Sequence, residues 1–128
     1  MTKVLVIDDS REVAGMLETV LAANNCCVQT VHSGSIALQM LQESPFDVVI
    51  TDILMPEPDG FEVIMAINRM RLRPRVIAIT GGTVRLSREY LSEVARKLKV
   101  QQVFYKPLDV RELLNSVLLH EVAAAAAG

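Results

Sequence analysis

In this chain of 128 residues the apolar runs are short, targeting features are few and the net charge is small. No window of about 20 apolar residues occurs, so the sequence predicts no transmembrane helix. The start, MTKVLVIDD, has only a short apolar stretch and lacks the cleavage site of a signal peptide. The formal net charge of −2 gives no general reason to bind nucleic acid or an anionic membrane. We therefore expect a cytoplasmic protein that binds neither directly.

Cysteine is scarce as well: the chain has two, Cys26 and Cys27, and they are adjacent. A disulfide between sequence neighbours is strained, and two thiols are too few for a structural zinc site. We therefore expect them to be small residues leading into a strand, without a redox or metal-binding role.

A regular alternation of two hydrophobic patterns fills the rest of the chain. Short apolar runs are typical of strands at residues 3–8, 27–31, 47–51, 75–80 and 102–106. Apolar residues at helical spacing predict helices over residues 13–21, 33–43, 59–70, 91–98 and 110–118. Alternation of this kind is typical of parallel strands with right-handed crossovers. The sequence therefore predicts one doubly wound α/β domain over residues 1–122.

Helix starts and the end of the chain carry their own local patterns. Ser33 or Ser35 is the candidate N-cap of the second helix, and Asp109 with Glu112 forms a candidate capping box for the fifth. The alanine-rich tail, residues 123–128, either extends the last helix or is a linker or vector-derived segment.

Polar side chains stand where four of the predicted strands end, and in such a sheet ligands bind at that edge. These residues are Asp8, Asp9, Asp52, Thr80 and Lys106. Three converging carboxylates repel one another, and Mg²⁺ with its preference for oxygen ligands resolves that conflict. Mg²⁺ and Lys106 would suit an incoming phosphoryl group, to which Thr80 could donate a hydrogen bond, with Asp52 as the nucleophile. Each residue alone could be a cap or a solvated side chain, but the five together indicate a functional site.

Four segments of the sequence match one known family. They are VLVIDDS (4–10), VVITDILMPEPDG (48–60), Thr80–Gly81 and Lys106–Pro107. In these segments the chain resembles the receiver domain of two-component response regulators, and the likeness covers residues 3–122. The resemblance implies a flavodoxin-like sheet of strand order 2-1-3-4-5. It also implies a signalling switch with weak self-catalysed phosphorylation and dephosphorylation, rather than an enzyme.

The resemblance implies a Mg²⁺ site. Asp9, Asp52 and the backbone carbonyl of Leu54 would bind the ion, and Asp8 would hold it through a metal-bound water. The two prolines and the glycine of the segment 55–60 would stiffen the loop that carries the Leu54 carbonyl.

The resemblance also implies roles in phosphoryl transfer. Asp52 would accept the phosphoryl group from a phosphohistidine on a sensor histidine kinase or a phosphotransfer protein. Lys106 would pair with the bound group, and Thr80 would move toward it as the switch. A downstream partner or output domain would contact the fourth helix, fifth strand and fifth helix.

Three features depart from the family pattern. Many receivers carry an aromatic residue at the position of Val103, so the usual aromatic switch is not expected; Tyr105, on the same strand face, could partly substitute but is expected to be packed. Leu54 and Gly82 offer no side chain to orient an attacking water, so we expect the phosphoryl group to persist for minutes or longer. The segment 80–106 is a few residues longer than usual and predicts a mobile loop after Thr80 and an unusual output face.

Two basic features have plain alternatives to a functional role. The run NRMRLRPR is either a docking patch for an acidic partner or, as we favour, a solvated loop. Its arginines are Arg69, Arg71, Arg73 and Arg75. His32 and His120 have no partner in sequence and are expected at the surface, not as phosphohistidines.

Other functional classes fit less well. A haloacid dehalogenase-type phosphatase needs a second Asp two residues after the nucleophile, where this chain has Leu54. A degenerate receiver that acts only as a scaffold usually lacks an acid or the lysine, and here all are present. The VIDDS segment lacks the G-x-G-x-x-G turn of a dinucleotide-binding domain, and no basic recognition helix follows residue 122. The chain could be a stand-alone regulator, a phosphorelay intermediate or the receiver of a longer protein.

Overall fold

The structure of the chain is a computed structural model that describes residues 1–81 and 87–127. Five strands alternate with five helices. The strands are β1 (Thr2–Ile7), β2 (Cys26–Val31), β3 (Val48–Asp52), β4 (Arg75–Thr80) and β5 (Gln102–Tyr105). The helices are α1 (Arg11–Ala22), α2 (Gly34–Glu43), α3 (Gly60–Asn68), α4 (Arg88–Lys97) and α5 (Val110–Ala127). The predicted alternation is confirmed, and each strand lies within one residue of its predicted bounds.

All neighbouring strands pair in parallel, in the order β2-β1-β3-β4-β5. The doubly wound sheet and its strand order are therefore confirmed. Because parallel strands share one direction, their carboxyl ends meet at one edge of the sheet, here called the carboxyl edge. In register, Ile7 pairs with Val31 and Thr51, and Thr80 pairs with Tyr105. The opposite edge, where the strands begin, is here called the amino edge.

Side chains of the central strands divide between two cores, one on each face of the sheet. Val4 and Val6 of β1 pack with α1 and α5, whereas Leu5 and Ile7 of the same strand pack with α2 and α3. Both faces of β1 and β3 are therefore buried, and this explains why their sequences are apolar without alternation. Burying one such side chain contributes about 2 kcal/mol, so the paired cores fix the register of the strands.

Most helices begin directly after a capping side chain near the carboxyl edge. The side chains of Ser10, Ser33 and Asp59 each accept a hydrogen bond from the backbone N–H three residues further on. The Asp109 carboxylate accepts the Glu112 N–H at 3.1 Å, as predicted for α5. The cap of α2 is Ser33 and not Ser35. Four helices thus start within a short loop of the strand before them.

Arginine side chains near the amino edge divide into two groups. Arg69, Arg71 and Arg73 are exposed, as the solvated-loop interpretation predicted. That interpretation is wrong for Arg75, the first residue of β4. Its guanidinium donates to Gln101 Oε1 at 2.7 Å and to the Val117 carbonyl at 2.7 Å, so it joins β4 to the segment before β5 and to α5.

Several smaller predictions can be compared with the structure. Cys26 is buried and Cys27 is exposed, both as free thiols. Glu93 and Lys97 form the expected ion pair on α4 at 3.4 Å, while the side chains of Leu91, Val94 and His120 lie outside the described part of the chain. The backbone of residues 123–127 continues α5, whereas the domain boundary at residue 122 stays a prediction. No helix within the described ranges is long and apolar enough to cross a membrane.

Candidate functional site

The carboxyl edge brings together the polar residues that the sequence placed at strand ends. Asp8 and Asp9 follow β1, Asp52 and Thr80 are the last residues of β3 and β4, and Lys106 follows β5. Oxygen atoms of the three carboxylates lie within 4.8 Å of one another. Asp8 and Asp52 are buried, whereas Asp9 is exposed. Because Asp9 is exposed, a ligand from solvent can reach the cluster at this carboxylate.

Lys106 supplies the positive charge of this cluster. Its Nζ lies 3.0 Å from Asp52 Oδ2 and 3.1 Å from Asp8 Oδ2, so one ammonium group contacts both buried carboxylates. The backbone of Lys106 is fixed as well, because its N–H donates to the Thr80 carbonyl at 2.8 Å. Burial lowers the pKa of Lys106, but the attraction of Asp52 and Asp8 outweighs burial and raises that pKa above its usual value. The side chain therefore remains a cation at neutral pH.

Asp52 is held at both carboxylate oxygens. Oδ1 accepts the Leu54 N–H at 3.1 Å, and Oδ2 accepts a hydrogen bond from Lys106. Burial raises the pKa of Asp52 above its usual value of 3.8. The hydrogen bond from Lys106 opposes this rise, and the negative charge of Asp8 adds to it. The fold thus holds a carboxylate whose charge is not fully compensated.

One carboxylate oxygen of Asp8 is buried without a hydrogen bond. Its Oδ1 accepts the Ser10 N–H at 2.9 Å, but its buried Oδ2 has only the ion pair with Lys106 and no hydrogen bond to any described residue. The backbone of Asp8 is held by the end of β2: its N–H donates to the Val31 carbonyl at 3.1 Å, and its carbonyl lies 3.0 Å from His32 Nδ1. His32, which was expected at the surface, is half-buried, and its ring has a backbone partner that its sequence neighbourhood does not indicate.

The donor set at the carboxyl edge fits a hard divalent cation. Three carboxylates face one ammonium group, which leaves two negative charges without a partner in the cluster. Asp8 Oδ2 is a buried acceptor without a hydrogen bond, and such an oxygen is suited to a metal or to a metal-bound water. All donors are oxygen atoms, as Mg²⁺ prefers. The acidic cluster is therefore consistent with a magnesium site.

The loop between β3 and α3 lies close against the strands because of a glycine. A Cβ at Gly60 would lie 2.2 Å from the Asp52 carbonyl oxygen, so no larger residue fits there. The loop is also fixed by backbone hydrogen bonds from Ile53 to Ile79 and from Gly60 to Ile53. The sequence suggested that Gly60 serves the turn into α3, and the structure gives close backbone approach as the reason.

Gly81 has a comparable role next to Lys106. A Cβ at Gly81 would lie 2.8 Å from the Lys106 Cβ and 3.0 Å from its Cδ. The absence of a side chain therefore leaves the space in which the stem of Lys106 runs toward the acids. The next positions, Gly82 and Thr83, carried predictions about water access and loop mobility, and they lie outside the described residues.

A family model of the response regulator receiver domain matches residues 4–118 of this chain. The chain belongs to the response regulator receiver domain family. The resemblance inferred from VLVIDDS, VVITDILMPEPDG and the Lys106–Pro107 pair is thereby confirmed. It is a receiver domain of the kind found in two-component systems.

Individual relatives differ in how much of their length this receiver domain spans. The response regulator receiver protein CpdR of Brucella abortus is 30% identical over 125 residues, which cover 97% of this chain and 100% of the relative. The transcriptional regulatory protein CpxR of Escherichia coli is also 30% identical, over 91% of this chain but 48% of its own length. The chain therefore spans about half the length of some relatives and the whole length of another.

Solved structures share the fold of this receiver domain. The receiver domain of the Francisella response regulator 1452 has a TM-score of 0.84 at 25% identity, and the match covers 93% of this chain and 95% of that one. The Vibrio cholerae chemotaxis protein CheY4 has a TM-score of 0.81 at 28% identity, covering 91% and 96%.

Val103 and Tyr105 of β5 lie near the site, and the structure contradicts the prediction made for Tyr105. Val103, where many receivers have an aromatic residue, is half-buried and packs with Phe61 against Ile53 and Ala78. Tyr105 was expected to be packed, but 37% of it is exposed. It lies at the end of β5, an edge strand with a neighbour on one side only, which explains its exposure.

Sequence reasoning missed His32 as part of this site. The contact with the Asp8 carbonyl joins residues 24 positions apart, at the ends of two neighbouring strands. No local pattern indicates such a contact. Its only sequence-level sign is position, because His32 follows β2 just as Asp8 follows β1, and parallel register places the two side by side.

Proposed function

We propose that this receiver domain takes a phosphoryl group onto Asp52 in a Mg²⁺-dependent reaction and changes conformation to signal to a partner. One observation carries the proposal: the Lys106 ammonium contacts both Asp52 and Asp8 within a cluster of three carboxylates at the carboxyl edge. Three carboxylates against one ammonium group leave this cluster short of positive charge, which a bound cation would supply. We therefore assign the cluster to ligand chemistry rather than to stability.

The proposed reaction is transfer from a phosphohistidine of a sensor kinase or phosphotransfer protein. A carboxylate oxygen of Asp52 attacks the phosphorus, the new O–P bond forms as the P–N bond breaks, and the bond's electron pair stays on the imidazole nitrogen, which takes a proton from solvent. Lys106 lies 3.0 Å from Asp52 Oδ2 and is placed to bind the phosphoryl oxygens. Such a fixed cation stabilises charge on the transferring group without further reorganisation.

Mg²⁺ would be held by Asp9, Asp52 and the Leu54 carbonyl, with Asp8 holding it through a water. When bound, it would offset the negative charge of the acids and of the incoming phosphoryl group. The loop carrying Leu54 supports this assignment, because the approach of Gly60 to the Asp52 carbonyl fixes the loop against β3.

The conformational change would begin at Thr80, whose hydroxyl would move toward the phosphoryl group. Thr80 is buried, and its carbonyl accepts the Lys106 N–H, so a shift of one residue affects the other. Val103 replaces the usual aromatic switch, and we assign the adjoining surface change to Tyr105. The face formed by α4, β5 and α5 exposes Tyr90, Tyr105 and Leu119, which supports its use as the partner surface.

The remaining parts of the proposal follow from the family and from side chains near Asp52. The protein would act in the cytoplasm as a signalling switch rather than an enzyme, with no direct contact to nucleic acid or membrane.

Leu54, two residues after Asp52, has an apolar, partly exposed side chain that cannot orient water. We therefore propose that the aspartyl phosphate persists for minutes or longer.

Intact mass after incubation with acetyl phosphate and Mg²⁺ tests the proposal. We expect the gain of one hydroxylamine-labile phosphoryl group that is absent in Asp52→Asn and in the presence of a chelator. The decay of the same species gives its lifetime, and a half-life of seconds would contradict slow hydrolysis.

Two results would contradict the phosphoacceptor role. One is the absence of any mass gain together with unchanged backbone amide shifts on addition of fluoroberyllate. This result would indicate a receiver that acts by binding alone. Steady turnover of a generic phosphate ester would indicate a phosphatase of the haloacid dehalogenase type.

A further inference from the structure

The peptide between Asp8 and Asp9 is held by a side chain that directly follows the neighbouring strand, β2. The Asp8 carbonyl, which belongs to this peptide, lies 3.0 Å from His32 Nδ1. A carbonyl oxygen can only accept a hydrogen bond, so Nδ1 of His32 must carry the proton and donate it. The contact therefore fixes the state of the imidazole, with a hydrogen atom on Nδ1, as well as the orientation of the peptide.

Asp9 depends on this peptide for its position. Its carboxylate is exposed and makes no hydrogen bond or ion pair with any other described residue. Asp8 and Asp52, in contrast, are each held by a backbone N–H and by Lys106. The direction of the Asp9 side chain is therefore set by the backbone that precedes it, and His32 is the side chain that holds that backbone.

His32 is itself held by a rigid turn. Ser33 caps α2 through the Ile36 N–H, and a Cβ on Gly34 would lie 2.3 Å from the Pro58 carbonyl oxygen. The start of α2 thus packs directly on the loop that follows Asp52. A donor on a rigid element restricts its acceptor more strongly than one on a free loop, because its own position is defined by packing.

We propose that His32 is a positioning residue for the metal site: its Nδ1–H holds the Asp8–Asp9 peptide and so directs the Asp9 carboxylate toward Mg²⁺. The inference rests on the proposed function, since it assigns His32 to the Mg²⁺ site of that function. His32 binds neither the metal nor the phosphoryl group in this role.

The affinity for Mg²⁺ itself, measured by calorimetry or by shifts of the Asp9 and Asp52 amides, tests the role of His32. Removing a group that orients a metal ligand typically weakens binding by 10–100-fold, and His32 acts one peptide away. We therefore expect His32→Ala to raise the Kd for Mg²⁺ about tenfold, at the lower end of that range. His32→Asn keeps an N–H donor near the position of Nδ1, and we expect it to recover most of the affinity.

A matched control on β2, the strand that His32 follows, separates positioning from stability. Thr30→Ala removes the hydrogen bond from Thr30 Oγ1 to Glu18 and touches nothing at the carboxyl edge. We expect it to leave the Kd unchanged, and urea unfolding of each variant shows that the compared proteins are folded. In metal-free wild type, ¹⁵N shifts of the His32 ring in mildly alkaline buffer should show the proton on Nδ1.

The outcomes separate this inference from the function on which it rests. Wild-type affinity in His32→Ala, equal weakening in His32→Asn and His32→Ala, or a proton on Nε2 would each overturn the role of His32 alone. Absence of Mg²⁺ binding in the wild type would contradict the proposed function and the inference together.

Discussion

At the amino edge of the sheet, polar groups satisfy one another. Arg75 donates to Gln101 and to the carbonyls of Ser116 and Val117, and Gln101 Nε2 donates to Ser116 Oγ at 2.9 Å and to its carbonyl. Asp47 accepts the Lys3 N–H at 2.7 Å. The contacts of Arg75 and Gln101 join β4, the segment before β5 and α5, so charge at this edge fixes the fold.

At the carboxyl edge, the negative charges of the carboxylates are only partly compensated. Asp8 Oδ2 is buried without a hydrogen bond, burial raises the pKa of Asp52, and Asp9 has no described partner for its carboxylate. Lys106 forms ion pairs with both buried acids, Asp8 and Asp52. Two buried carboxylates that share a single cation cost the folded chain stability, and such a cost is typical of a ligand site.

Replacing an aspartate by asparagine should affect phosphorylation at the carboxyl edge but not at the amino edge. We expect Asp52→Asn to abolish the gain of a phosphoryl group from acetyl phosphate, because an amide oxygen is not a competent nucleophile. Asp47→Asn keeps an oxygen that can accept the Lys3 N–H, and we expect an unchanged rate. Intact-mass time courses measure both, and loss of phosphorylation in Asp47→Asn would remove the distinction between the edges.

Loss of Arg75 should affect stability and not phosphorylation. Arg75→Ala leaves Gln101 and two helix carbonyls without their charged donor, and we expect the free energy of unfolding to fall by about 3 kcal/mol. Arg75→Lys keeps the charge but loses the fork of donors, so an intermediate loss is expected. Urea unfolding measures the loss, and a slower phosphorylation of folded Arg75→Ala would mean that this edge contributes to the site.

The carboxyl edge should become more stable when an acid is removed. Without divalent cation at neutral pH, we expect Asp52→Asn to raise the free energy of unfolding by about 1 kcal/mol, since neutralising a buried charge removes its desolvation cost. The pKa of Asp52 is raised by burial, so its ionisation destabilises the fold increasingly as pH rises from the unfolded value of 3.8 through the folded pKa. The gain should therefore vanish below that unfolded value.

Added Mg²⁺ supplies the control for this gain. The ion should stabilise the wild type more than Asp52→Asn and so reduce or reverse the difference between them. Destabilisation by Asp52→Asn at neutral pH without the ion would show that Lys106 already compensates the acids in full.

A methyl group beside Lys106 should give the smallest effect. The Cβ of Gly81→Ala would meet the Lys106 stem at 2.8 Å and shift it, and we expect the rate of phosphorylation to fall about threefold. Gly15→Ala on α1 is the matched control, because nothing lies within 4 Å of its Cβ. It should leave the rate unchanged and, with better helix propensity, raise stability by about 0.5 kcal/mol. Equal rates in both variants would mean that the Lys106 stem moves without consequence.

The fold and the position of the site could be predicted because both follow from repeated patterns. Strands apolar on both faces indicate a parallel sheet, and parallel strands place their last residues at one edge. Asp8, Asp52 and Lys106 could therefore be grouped although they lie far apart in the sequence. The confirmed alternation of elements needs no knowledge of individual contacts.

Contacts that depend on tertiary detail could not be predicted. Arg75 has the same local sequence character as Arg69 and Arg71, and only its place at the start of β4 brings it to the carbonyls of α5. His32 lacks a partner in its own neighbourhood, and the exposure of Tyr105 depends on β5 being an edge strand. In each case the deciding neighbour comes from another element.

Backbone amide shifts on addition of Mg²⁺ and fluoroberyllate distinguish the two edges most directly. If the carboxyl edge is the phosphoacceptor site, the largest shifts fall on Asp8, Asp9, Leu54, Thr80 and Lys106, while Asp47, Arg75 and Gln101 at the amino edge stay in place. The Asp52→Asn variant should lose the fluoroberyllate-dependent part of these shifts. Unchanged amides at the carboxyl edge, or equal shifts at both edges, would contradict the assignment of the phosphoacceptor site to the carboxyl edge.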